Sequence, residues 1–315
     1  MGHIAKEFAR KAIVALHKVG LRLGVVIIRN HYYTAVPDLN VLARTKQTWA
    51  RRSELVGVEV DLDRQVKRLR EVCLPFSSEF RGNGAYTDAC RSACGPGFGY
   101  IEAQALHAVV RHLKPHNIIE VGCGVSTFCM LKAAALNASE GVPGRLVCIE
   151  PHPTDWLRNA PVELIAKAVQ SVSLETFTKL GAGDLLFIDS SHAVRTGSDV
   201  NFLILEVLPR LRAGVVVHFH DITLPFGYSP VTLQVLVQPA ETALLHAFLI
   251  GNQGVEIVFC LSQLHYERPE VLSEVFPEYV PRSQPDGLRD PGLPFYQPPG
   301  HFPTSAYLRV CDRLA

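Results

Sequence analysis

The chain has 315 residues, 48% of them hydrophobic, with 31 basic side chains against 30 acidic ones. Length and apolar content suit one sizeable α/β domain with an appendage, or two small domains, and exclude extended disorder. The balanced charge lacks the basic footprint of a nucleic-acid binder, so the expected partner is a small molecule, with no nucleic acid.

In chain order, a helix is expected near residues 4–24. Its apolar run, 12–28, is broken by His17, Lys18 and Arg22 and is too short for a clean span. It reads as a helix packed on the body, or as a peripheral membrane contact of residues 4–28. Lys6, Arg10 and Lys11 interrupt the start and no cleavage site follows, so no signal peptide is expected. The eight cysteines form no CxxC pair and several sit in apolar runs, so they read as small buried hydrophobes. Cys90 and Cys94 could meet across a helical turn, with a structural role preferred. A reducing cytoplasm follows as the expected compartment, where the sequon Asn137-Ala-Ser139 has no use.

His31-Tyr32-Tyr33 and Pro37-Asp38 form an aromatic, turn-rich cluster, expected to pack on the sheet or to cover an acceptor pocket. A charged helix is expected over Asp61–Cys73, and glycine and small residues make Arg81–Gly99 read as a loop. Residues 1–95 thus form an N-terminal helical cap, and 96–315 a second domain. There a helix over Ile101–Leu113 ends at Pro115. Strands are expected at Asn117–Val121, Leu146–Glu150, Val162–Ala166, Asp184–Ile188, Gly214–Phe219 and Val255–Leu261. Helices are expected at Ser126–Leu136, Ser198–Leu211 and Leu233–Leu249. Continuous apolar strands alternating with helices imply a parallel sheet covered on both faces, with ligands at the carboxyl rim. Residues 268–303 are proline-rich and read as a long irregular excursion, before a last strand at Ser305–Val310.

Chemistry gathers at that rim. The first strand ends in Glu120, Gly122, Cys123 and Gly124, with Thr127 opening a helix. Glycine allows close backbone approach, and a helix N-terminus offers free N–H groups, which suits a nucleotide-type cofactor. Glu150 ends the second strand, placed to accept from a ribose diol. Val169-Gln170-Ser171 follow the third strand as candidates for adenine contacts, with His152 expected to face solvent. The fourth strand ends in Asp189-Ser-Ser-His192 and the fifth in His218-Phe-His220-Asp221. At least one of His218 and His220 reads as a core histidine. Phe226 and Tyr228 either line the acceptor site or pack in a βα loop. A hydroxyl acceptor needs deprotonation, which an ordinary imidazole performs near neutral pH, and a bound cation would help.

This set resembles the class I S-adenosylmethionine-dependent methyltransferases over roughly residues 100–265 and 303–311. The resemblance implies a Rossmann-like, doubly wound sheet of seven strands with the last antiparallel, and adenosylmethionine as cofactor. Glu120, Gly122, Cys123, Gly124, Thr127, Glu150, Gln170 and Asp189 would bind it, Glu120 suiting its ammonium group. Within the class, the motifs at 189–192 and 218–221 resemble sugar and natural-product O-methyltransferases. That implies a divalent metal on Asp189, His220 and Asp221, with His192 as general base beside Asp189. The departure is His220, which stands where related macrolide-sugar enzymes carry a carboxylate and which disfavours Mg²⁺. The dinucleotide fingerprint fits less well, since Thr127 occupies its third glycine. A nicotinamide-dependent oxidoreductase and a catalytically idle cofactor-binding protein are the alternatives, and the acceptor atom stays open.

Overall fold

Short runs of β-branched and large apolar residues form seven strands. They are β1 Asn117–Val121, β2 Arg145–Ile149, β3 Glu163–Ile165, β4 Leu185–Ile188, β5 Val216–Phe219, β6 Val255–Cys260 and β7 Ala306–Val310. The computed structural model describes residues 3–28, 31, 33–92, 94, 97–290, 292 and 303–312, and the side chains of 3–10 are left aside. The strands make one sheet in the order β3-β2-β1-β4-β5-β7-β6. β1 to β5 run parallel, and β7 is antiparallel to both β5 and β6. This is a Rossmann-like, doubly wound sheet with its last strand antiparallel.

Alternate side chains enter different cores, as the two-residue period of a strand requires. Ile118, Leu185, Phe187 and Val216 join one apolar cluster, with the helices Leu62–Cys73, Tyr100–Leu113 and Val125–Ser139. Ile119, Val121, Leu186, Ile188, Val217 and Phe219 join the other, with the helices Leu174–Thr178 and Glu241–Leu249. Both faces are covered, so the carboxyl ends of β1, β2, β4 and β5 are left to form a rim.

The chain divides into two compact units, residues 1–49 with 232–238, and 50–231 with 239–315. In the first, the helix His3–Arg22 is followed by chain that doubles back, Val25 N–H donating to Gly20 O at 2.9 Å. Asp38 caps the helix Leu39–Arg44 by accepting from the N–H groups of Asn40 and Val41. Tyr33 is exposed, and Tyr32 lies outside the described residues. In the second unit, the charged helix expected over Asp61–Cys73 runs Leu62–Cys73, with Asp61 as its cap accepting from Arg64 N–H.

Four stretches differ from expectation. Within 81–99, Gly84–Arg91 is a helix; its small residues let it lie against Val125–Ser139, with Ala89 fully buried. The helix expected over 198–211 is three joined pieces, Asp199–Phe202, the wider turns Leu203–Val207 and the tight turn Leu208–Arg210 at Pro209. The helix expected from 233 starts at Glu241, because Pro239 and the turn before it delay it. The proline-rich stretch opens with a helix, Pro269–Val275, in which proline takes the first position where no N–H is needed.

Candidate active site

The loop after β1 is held by its own strand. Glu120 is fully buried, and its two carboxylate oxygens accept from Ser126 Oγ and Thr127 Oγ1, both at 2.6 Å. Thr127 Oγ1 in turn accepts from Gly124 N–H at 3.0 Å. The hydroxyl where a dinucleotide-binding loop has its third glycine therefore ties strand, loop and helix together. The carboxylate expected to meet the cofactor's ammonium group is turned inward onto these two hydroxyls. Burial raises the Glu120 carboxyl to about 7, with the Ser126 and Thr127 hydroxyls opposing that rise. Gly122 has φ 80°, and a Cβ there would stand 1.7 Å from the carbonyl oxygen of Asp189. Only glycine lets β1 and β4 close at this point.

An open cleft of about 420 Å³ lies over the carboxyl ends of β1, β2 and β4. Gly122, Glu150, Gln170 and Asp189 line it together, with the partly or fully exposed His152, Arg195 and Asp199. Glu150 accepts from Cys123 N–H at 3.3 Å and from His152 N–H at 2.8 Å, so its carboxylate sits at the mouth of the glycine loop. Gln170 Nε2 donates to Gly197 O at 2.9 Å, which joins the segments after β3 and β4. Cys123, Gly124 and Thr127 do not form part of the cleft wall.

Next to the cleft is an acid–histidine cluster. His192 Nε2 lies 3.4 Å from Asp189 Oδ1 and 3.4 Å from Asp221 Oδ2. Its Nδ1 is 2.7 Å from Glu241 Oε2, on a carboxylate only 1% exposed. His192 and Asp221 both take positive φ, 56° and 54°, the strained backbone often kept at functional sites. Burial would lower the His192 pKa, but the bonds to Asp189 and Glu241 and the charges of Asp221 and Glu241 raise it to about 10. Burial likewise opposes ionisation of Asp221, yet His220, His192 and the Thr304 hydroxyl hold it below its usual value.

His220 is placed differently from the metal ligand that the sequence suggests. Its Nδ1 is 3.0 Å from Glu102 Oε1 and its Nε2 is 3.0 Å from Gly97 O. Burial lowers its pKa, but Asp189, Glu102 and Asp221 together raise it well above the ordinary value. Among the described residues, Asp189, His220 and Asp221 do not bring one ligand atom each into a common set. His218 is fully buried, stacked on Phe187 at 4.1 Å and bonded to Ser305 Oγ at 2.8 Å. Burial and the neighbouring His220 push its pKa well down, so it is a neutral core histidine. Phe226 is buried against Tyr266, and Tyr228 donates to Asp286 O at 2.6 Å; both pack.

Three features have no local signal in the sequence. Glu102, in the first turn of an apolar helix, is buried and accepts from Thr304 N–H, Thr304 Oγ1 and Ser305 Oγ. Glu241 looks like an ordinary first-turn acid until the fold sets it under His192. The β1–β2 register puts Cys148 opposite Glu120, so that Glu120, Cys123 and Cys148 have donor atoms within 4.8 Å. The Cys123 thiol is pushed up by its bond with Cys148 and by burial, which keeps it protonated and a poor ligand.

Residues 119–222 match the family model described as a methyltransferase domain. That span runs from β1 to the end of β5 and carries the cleft together with Asp189, His192 and Asp221, while Glu241 lies beyond it. An uncharacterized protein from Archaeoglobus fulgidus is 24% identical over 184 residues, 51% of this chain and 77% of that protein. The O-methyltransferase TomG from Streptomyces achromogenes, involved in tomaymycin synthesis and solved with SAM, aligns at 15% identity and a TM-score of 0.40. The alignment covers 87% of this chain and 96% of TomG, and a superposition that loose carries no weight for function. The family match, which covers less than half of the chain, supports a methyltransferase domain.

Proposed function

We propose that the protein transfers a methyl group from S-adenosylmethionine to a hydroxyl of a small molecule, a sugar or glycosylated metabolite being the class favoured. The observation that carries this reading is Asp189, which lines the cofactor cleft and also contacts His192. The methyl donor and the proton acceptor then meet across one side chain. In this reading Glu150 accepts from the ribose, Gly122 gives the cofactor close approach to the backbone, and Gln170 flanks the adenine. Glu120, Cys123, Gly124 and Thr127 keep the loop in shape behind them.

His192 is the general base. Glu241 accepts from Nδ1–H and leaves Nε2 for the acceptor hydroxyl, so the ring is held in one tautomer. As long as Asp189 and Asp221 pair with the imidazolium, the ring is protonated at neutral pH and cannot act as a base. Both aspartates reach His192 Nε2 at 3.4 Å, but among the described residues they form no converging set of ligand atoms. A divalent cation would therefore have to displace the imidazole and draw these two hard oxygen donors together. Such a cation, when bound, lowers the pKa of a hydroxyl beside it. The chain's own contribution is alignment: in-line attack on a sulfonium methyl needs mainly proximity and orientation.

The test is methyl transfer across a panel of hydroxylated metabolites, with and without a chelator. Transfer abolished by His192→Ala, with adenosylmethionine still bound, is the expected result. Activity indifferent to both chelation and His192→Ala would overturn the base mechanism and leave the methyl transfer standing.

A further inference from the structure

We propose that the unit formed by residues 1–49 and 232–238 docks on an anionic lipid surface. It does so through the helix His3–Arg22 and the segment 23–28 that doubles back on it. This inference is independent of the methyl-transfer reading.

The first observation is where exposed apolar surface is found. Fourteen of the twenty large apolar side chains left exposed among the described residues belong to this unit, a small part of the chain. Leu16, Leu23 and Val26 are 56%, 76% and 63% exposed, and on the second stretch of the unit Leu236 and Val237 are exposed as well. Scattered apolar residues need no explanation, but a concentration like this marks an interaction site.

Charge is the second observation. The whole chain is balanced, yet residues 1–49 carry Lys6, Arg10, Lys11, Lys18, Arg22, Arg29, Arg44 and Lys46 against only Glu7 and Asp38. No acid occurs between Glu7 and Asp38.

Helical geometry joins the two. Ile13, His17 and Gly20 form the less exposed side of the helix, where His17 Nδ1 meets Ile27 O at 3.0 Å. Lys11, Lys18 and Arg22, spaced seven and four apart, share the opposite side. Val14 and Leu21 flank that basic stripe on one side, Leu16 and Val19 on the other. Long basic side chains between apolar neighbours suit a headgroup layer, where the stems bury and the charges stay at the phosphates. A second copy of the chain would bring the basic stripe against its like. No described helix is long and apolar enough to cross a membrane, so the contact is peripheral.

The test uses the full chain with phosphatidylcholine vesicles, with and without phosphatidylglycerol. Sedimentation with the anionic vesicles alone, weakened by salt, is expected. Lys18→Gln with Arg22→Gln should weaken it by roughly thirtyfold. Leu16→Gln with Leu23→Gln should weaken it too, while circular dichroism and adenosylmethionine binding stay unchanged in both variants. Three results overturn the proposal: no sedimentation with either vesicle, full retention in the charge variant, or self-association that the leucine variant abolishes in place of vesicle binding.

Discussion

Glu241 decides what His192 can do. A buried carboxylate on Nδ1 fixes the ring, and with Asp189 and Asp221 on Nε2 the imidazole holds its proton up to about pH 10. Under the proposed mechanism, kcat/KM of the cation-free enzyme should rise with pH until near 10, and a bound divalent cation should move that limb toward neutral. A limb unmoved by chelation in a pH–rate series would contradict a cation at the two aspartates, and a limb already near the ordinary imidazole value in the chelated enzyme would contradict the pairing of His192 with them. His192→Gln should lower kcat by about 100-fold or more, while adenosylmethionine affinity stays within roughly twofold. Glu241→Gln should lower kcat less and leave KM nearly unchanged. Gly122→Ala is the sharpest steric test of the loop, since its methyl would meet the Asp189 carbonyl and the backbone φ is positive. Calorimetric titration should show adenosylmethionine affinity falling by about tenfold or more, the scale of about 1.4 kcal/mol of strain.

At the scale of elements, buried polar groups join what the sheet alone does not. Arg111 is buried and bonds Glu79, Asn137 and Glu140, so it ties the helix Tyr100–Leu113 to Ser77–Phe80 and Val125–Ser139. The sequon asparagine is thereby spent in the core, its Nδ2 donating to Val110 O at 2.9 Å. Arg111→Ala should cost about 2–3 kcal/mol in urea unfolding, less than a fully buried pair because Glu140 is partly exposed. Glu102 does the same for the end of β5 and the start of β7, accepting from Thr304 and Ser305 while facing His220. These links are long in sequence, 202 residues for Glu102 and Thr304. That is why Glu102, like Glu241 under His192, could not be read beforehand: each looks like a first-turn acid at the start of its own helix.

Across the whole molecule, the strand positions and the glycine loop were legible because they rest on local patterns, whereas the antiparallel last strand followed only from the family resemblance. Apolar runs, glycine positions and turn residues act over a few residues. The helix Gly84–Arg91 was not legible, since its small residues serve packing against another helix and look locally like a loop. The role of Glu120 was half legible: the residue stands out, but its inward direction depends on Ser126 and Thr127 folding back over it. Its consequence is global. Glu120 is raised from 4.5 to about 7, and His192 from 6.5 to about 10. Both bind their protons more tightly when folded, so the stability they contribute is full below the unfolded values and fades as pH rises through the folded ones. Thermal midpoints should therefore fall between pH 5 and pH 7 for Glu120, and again between pH 7 and pH 10 for His192. His192→Gln should flatten the second decline and spare the first; a parallel curve in that variant would contradict the assignment.

The central claim is that the cleft over β1, β2 and β4 holds adenosylmethionine. Isothermal titration of the full chain with S-adenosylmethionine and, separately, with NAD tests it most directly. One molecule of adenosylmethionine per chain should bind, weakened by about tenfold or more in Glu150→Ala through the loss of charge-assisted hydrogen bonds to the ribose. Binding of NAD alone, with adenosylmethionine silent, would contradict the account.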